Sequence, residues 1–104
     1  MNLWEQYNPE QALGAVLGEI TGLPLMQCGD KALFETLKRH LTRRELRCFV
    51  MEQGGRNIES MSEETGLNAE ETVKTAYKAK KKLRQPKLQQ EFRALLADAE
   101  EEDA

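Results

Sequence analysis

The sequence predicts an all-α protein: a small helical domain that contains a helix-turn-helix, with a helical extension before it. Three observations predict this class. Ala, Leu, Glu, Lys, Gln and Arg dominate the 104 residues, and these are the residue types that favour helix. Apolar residues recur three and four positions apart, the spacing of one helical face, while strand-type alternation is scarce. Capping residues and chain breakers fall at the ends of these runs. Charged residues make up 32% and apolar residues 39%, a balance suited to a folded helical protein.

Taken in order, Asn8-Pro9-Glu10 reads as a helix start, with a capping Asn and Pro at the first helical position. Ala12, Leu13, Val16, Leu17 and Ile20 follow at helical spacing, and Gly22 and Pro24 end the run. Leu3, Trp4 and Tyr7 are expected to fold back onto this helix, with Trp4 as an anchor. Asp30 opens a second helix with Leu33, Phe34 and Leu37 on one face and Lys38, Arg39 and His40 at its end. Thr42 and Glu45 have the spacing of a capping box for a third, whose apolar face is Leu46, Phe49 and Val50, stopped at Gly54-Gly55. Asn57 caps a short fourth helix with Ile58, Met61 and Ser62, and Gly66 breaks it. Asn68 caps a fifth, with Ala76, Ala79, Leu83 and either Thr72 or Val73 as its inward stripe. Pro86 interrupts, and a last helix carries Leu88, Phe92, Leu95 and Leu96.

Charge is divided along the chain. The net charge is −3, yet Leu41 to Gln90 holds eleven basic and seven acidic residues, a local +4. Asp98, Glu100, Glu101, Glu102 and Asp103 supply the opposite sign. The resulting organisation is a helical extension over 1–40 that packs on the domain or pairs with a second copy, a helix-turn-helix domain over 41–97, and an acidic, disordered tail over 98–104.

Cys28 and Cys48 lack metal-ligand or CxxC spacing, and the single histidine, His40, has no ligand partner. No nucleophile–base pair or phosphate-binding glycine loop is visible, so neither an enzyme nor a cofactor is expected. The absence of a long apolar run and of an export signal points to a cytoplasmic protein without a membrane partner.

The stretch from Asn57 to Asn68 meets six demands of a helix-turn-helix in order. Ile58 and Met61 bury the first helix, Ser62 is small where the helices approach, and Gly66 suits a left-handed turn. Leu67 plugs the gap and Asn68 starts the second helix. On these residues the chain resembles region four of bacterial sigma factors, and is similar to the DNA-binding domains of LuxR-type regulators. The resemblance also takes in Leu41-Thr42-x-Arg44-Glu45 at the opening and Thr72-Val73-Lys74 with Ala79-x-Lys81-Lys82-Leu83-Arg84 at the close. Thr65 stands where that family usually has leucine.

The resemblance implies that residues 69–84 form a recognition helix in the major groove of double-stranded DNA. Ala69, Glu70, Glu71, Lys74, Thr75 and Lys78 then face base edges, with Lys74 and Lys78 foremost because they lie one turn apart. Arg43, Arg44, Arg56, Lys80, Lys81, Lys82 and Arg84 are the expected phosphate contacts. The rival expectation is a helical interaction module that binds RNA polymerase or another regulator and not DNA. Residues 1–40 do not resemble the sigma segment that melts promoter DNA, so a free-standing region-four-like regulator is expected.

Overall fold

A computed structural model describes the backbone of residues 2–103 and the side chains of residues 2–99. Among the described residues there are seven α-helices and no strand: α1 (Leu3–Tyr7), α2 (Leu13–Thr21), α3 (Asp30–His40), α4 (Arg43–Gln53), α5 (Ile58–Thr65), α6 (Ala69–Leu83) and α7 (Pro86–Asp103). A single 3-10 turn, Leu25–Gln27, lies between α2 and α3. No helix among them is long and apolar enough to cross a membrane.

α4 is the central helix. It packs against α6 on one side and against α1, α3 and α5 on the others. Its inward residues Leu46, Cys48, Phe49, Val50 and Met51 are all buried. Its start is the capping box read from sequence: the Thr42 side chain accepts from the Glu45 N–H at 3.2 Å, and Glu45 accepts from the Thr42 N–H at 2.8 Å.

Residues 1–40 share one core with the rest of the chain. Trp4, Leu13, Val16, Leu17, Leu33, Phe34 and Leu37 pack in the same cluster as Phe49, Val50, Leu83, Leu88 and Phe92. The apolar face of α2, which sequence left open between packing and pairing, is therefore used inside the chain. A smaller cluster of Cys48, Met51, Met61, Leu67 and Ala76 sits beneath the α5–α6 unit. Both cysteines are free and buried, and burial pushes each thiol up, so neither is poised as a nucleophile.

The beginning of the chain departs from its sequence-based expectation. Asn8 does not start a helix but closes one, its N–H donating to the Trp4 carbonyl at 2.8 Å, and Pro9 is not a first helical residue. Instead Leu3–Tyr7 forms a helix of its own, capped by the Asn2 side chain at the Glu5 N–H. Asn8 turns inward and donates from Nδ2 to the Val50 carbonyl at 3.2 Å, while Gln11 donates to the Gln53 carbonyl at 3.3 Å. The two side chains thus satisfy carbonyls of the last turn of α4. α2 begins at Leu13, and its cap comes from elsewhere. The Asp30 carboxylate accepts from the Leu13 and Gly14 N–H groups at 3.0 and 3.3 Å. One carboxylate at the start of α3 therefore serves the N-terminal ends of two helices.

The turn from α4 to α5 is crowded by α1. A Cβ at Gly54 would lie 2.6 Å from the Tyr7 carbonyl oxygen and 3.2 Å from its Cβ. Gly54→Ala is expected to destabilise by about 1–3 kcal/mol, because backbone must move to admit the methyl. Equilibrium urea unfolding measures this, and an unchanged midpoint would contradict the close approach.

α7 runs on to Asp103, so the helix as described continues through the acidic positions assigned to a tail. The side chains from Glu100 onward lie outside the described residues. α7 is fastened to the end of α3 by Glu91, which meets Arg39 and His40, each at 3.3 Å.

Candidate nucleic-acid interface

α5 and α6 are joined by three residues, Gly66, Leu67 and Asn68. Gly66 adopts φ +75°, a left-handed conformation that disfavours any side chain, and its N–H closes α5 on the Ser62 carbonyl at 2.9 Å. The Ser62 hydroxyl donates across the turn to the Leu67 carbonyl. Thr65 also serves the turn, donating to the Met61 carbonyl at 2.8 Å and accepting from the Leu67 N–H at 3.4 Å. A leucine at that position would lack both bonds. Leu67 is buried against Met61 and Ala76.

Asn68 then starts α6 with a second capping box, in which its side chain accepts from the Glu71 N–H at 2.8 Å. Glu71 answers at the Asn68 N–H, so its carboxylate is tied to the helix end and not held out toward a ligand. α6 buries Thr72, Ala76, Ala79 and Leu83. The alternative left open in sequence resolves to Thr72, which is fully buried and donates its hydroxyl to the Asn68 carbonyl at 2.8 Å. Val73 points outward.

The sequence-selected residues divide by their position on α6. Glu70, Lys74, Lys78 and Lys81 stand exposed on the face away from the core, and Arg84 is exposed at the end of the helix. Ala69 is exposed at the start, and Thr75 is half-buried at the flank. Lys74 pairs with Glu70 at 3.2 Å, one turn back. Both partners are highly exposed, so this pair contributes little to stability.

Lys80 and Lys82 have different partners. They lie on the flanks of α6 that meet α4, and each closes on a glutamate of that helix. Lys80 pairs with Glu52 at 2.8 Å and Lys82 with Glu45 at 2.7 Å. Burial alone would push the Glu45 carboxyl up. The hydrogen bonds from Lys82 and Thr42, with the Lys82 charge, outweigh it and hold the carboxyl below its ordinary value. These two lysines, expected at phosphates, tie α6 to α4 while their side chains stay 38% and 34% exposed.

The Lys82–Glu45 bond sets the first turn of α4 beside the last turn of α6, so exposed Arg43 and Arg44 lie toward the same end as Arg84. Arg56 is elsewhere. It lies over the Tyr7 ring at 5.2 Å, in a hollow also lined by Met51, Ser60, Glu63 and Glu64, to which α6 contributes nothing. Lys74, Lys78, Lys81 and Arg84 thus share the outer side of α6, while Arg43 and Arg44 are exposed at the start of α4.

Two residues were missed in sequence. Val73 and Tyr77 are 53% and 66% exposed, one turn apart on α6. Their signal was available: once Ala76, Ala79 and Leu83 set the inward phase, positions 73 and 77 fall outside it. No family model, curated protein or solved structure matches this chain. What the structure defines is the class: an all-α globule presenting a tight helix-turn-helix whose second helix is bare along one face.

Proposed function

We propose that this protein is a DNA-binding transcription regulator of the sigma region-four type, with α6 as the recognition helix in the major groove. The observation that carries it is the outer face of α6. Lys74, Lys78, Lys81 and Arg84 share that side of the helix, and among the described residues Lys78, Lys81 and Arg84 form no ion pair. Such a row matches a phosphate-lined groove in sign. The acidic start of α6 is compatible with it, because the Glu71 carboxylate closes a cap at the helix end. Lys78 and Lys74 reach toward base edges, while Lys81, Arg84, Arg43 and Arg44 neutralise phosphates.

Lys74→Ala combined with Lys78→Ala is expected to weaken duplex binding by about tenfold or more, and Lys81→Ala combined with Arg84→Ala to make it less steeply salt-dependent, since each phosphate contact contributes a slope near −0.9. Gel retardation of a random-sequence duplex pool at two salt concentrations measures both. Unchanged binding would remove these residues from the interface.

A second reading is favoured by Val73 and Tyr77. Exposed apolar side chains one turn apart on a helix also suit a protein partner, such as RNA polymerase or another regulator. A stable complex with such a partner, with no retardation of any duplex at low salt, is what this reading expects.

A further inference from the structure

Val73, Tyr77 and Met26 are the large apolar side chains most exposed on the described surface, and two of the three lie on α6. Neither is needed to pack that helix, whose buried stripe is complete without them. Tyr77 is shared by two shallow hollows. One is lined by Glu71, Val73, Lys74, Thr75 and Lys78, and the other by Lys80, Lys81 and Arg84. The apolar pair therefore lies among side chains that are mostly cationic, with Glu71 as the acidic exception.

That combination discriminates between partners. Protein interfaces are depleted of lysine, and their cores of charge, relative to the rest of the surface. A basic rim around an apolar centre fits a polyanion that offers apolar groups from within. In the major groove of DNA the thymine C5-methyl is such a group. Residues 73 and 77 are spaced about 6 Å apart along the helix, from a rise of about 1.5 Å per residue. Two base steps span about 6.8 Å.

We propose that Val73 and Tyr77 contact thymine methyl groups about two base pairs apart, so that this surface selects thymine-containing sites through apolar contact. The inference rests on the DNA-binding reading of α6 and adds a basis for its sequence preference. Lys81 and Arg84 supply attraction, and the apolar pair adds discrimination beside Lys74 and Lys78.

The test uses the full chain and a random-sequence duplex pool, first to select bound sequences with thymidine. The selected duplexes are then remade with deoxyuridine in place of thymidine, which deletes the methyl and leaves base pairing intact. Wild-type protein is expected to select sites with thymines two steps apart and to bind the deoxyuridine duplexes about fourfold more weakly per methyl lost. Val73→Ala combined with Tyr77→Ala should bind the two duplex forms alike, with the salt slope of the wild type. Both positions are exposed, so folding is expected to be unaffected, and circular dichroism checks it.

Selected sites without thymine, or equal wild-type affinity for both duplex forms, would overturn this inference while leaving DNA binding by α6 intact. A double variant that still prefers thymidine would overturn it too. No retardation of any duplex at low salt would overturn the inference and the DNA-binding reading together.

Discussion

Trp4→Ala is expected to destabilise the protein by about 3–5 kcal/mol, the range for deleting a fully buried aromatic side chain. Trp4 is 1% exposed and stacks on Phe49 of the central helix, with ring centroids 6.2 Å apart. Its indole N–H donates to the Gln11 carbonyl at 2.9 Å, so the substitution also leaves a part-buried acceptor without its donor. The loss is a large share of the roughly 5–15 kcal/mol that holds a small domain together.

The effect should reach the candidate interface. Trp4 anchors α1, α1 presents the Tyr7 backbone to Gly54, and Gly54 ends α4 just before α5. Urea unfolding gives the stability change, and duplex retardation of the variant at low temperature gives the functional one. A cost below about 1 kcal/mol would mean that the first helix is dispensable to the fold.

Glu45→Ala is expected to cost about 2–3 kcal/mol. Two bonds depend on this one side chain: the one it accepts from the Thr42 N–H in the α4 capping box and the tie to Lys82. Loss of a buried ion-pair partner costs about 3–5 kcal/mol, discounted here because Lys82 is 34% exposed.

A pH signature accompanies it. The Glu45 carboxyl is held lower in the folded protein than in the unfolded chain. Its contribution is therefore fully present above the unfolded carboxyl range, near about 4.3, and is lost as pH falls through the folded value. Thermal unfolding at neutral and strongly acid pH should show a smaller acid-induced drop for Glu45→Gln than for the wild type. Part of the drop will remain, because Glu91 is also held low, first by the His40 hydrogen bond and further by Arg39. An identical drop in both proteins would mean that Glu45 is not selectively stabilised as a carboxylate.

The features legible in the sequence are those written over three or four residues. Thr42 with Glu45, Asn57 with Ser60, and Asn68 with Glu71 are caps whose donor and acceptor lie three positions apart. Gly66 was legible for the same reason, since a left-handed residue between two capped runs leaves few alternatives. The inward stripes followed from helical period, and the all-α class followed from the stripes together. Where the period was short of turns it failed: Leu3–Tyr7 is too brief to show one, and Asn8-Pro9 carried a start signal that Leu13 in fact answers.

What escaped that reading joins residues far apart. Asp30 caps α2 across 17 positions, Lys82 meets Glu45 across 37, and Asn8 reaches Val50 across 42. The consequence for function is direct. Among Lys80, Lys81 and Lys82, three consecutive lysines with equal claims on a phosphate in sequence, only packing separates them. Successive helical residues point about 100° apart, so Lys80 and Lys82 turn to glutamates of α4 while Lys81 is left exposed.

Composition and local spacing thus sufficed for the helices, their caps and the tight turn, because helix formation is governed by neighbours within one turn of chain. Which cations remain available on α6 was decided only when α4 came to lie against that helix. Contact between distant segments depends on the whole arrangement of the core, and no short stretch of sequence encodes it.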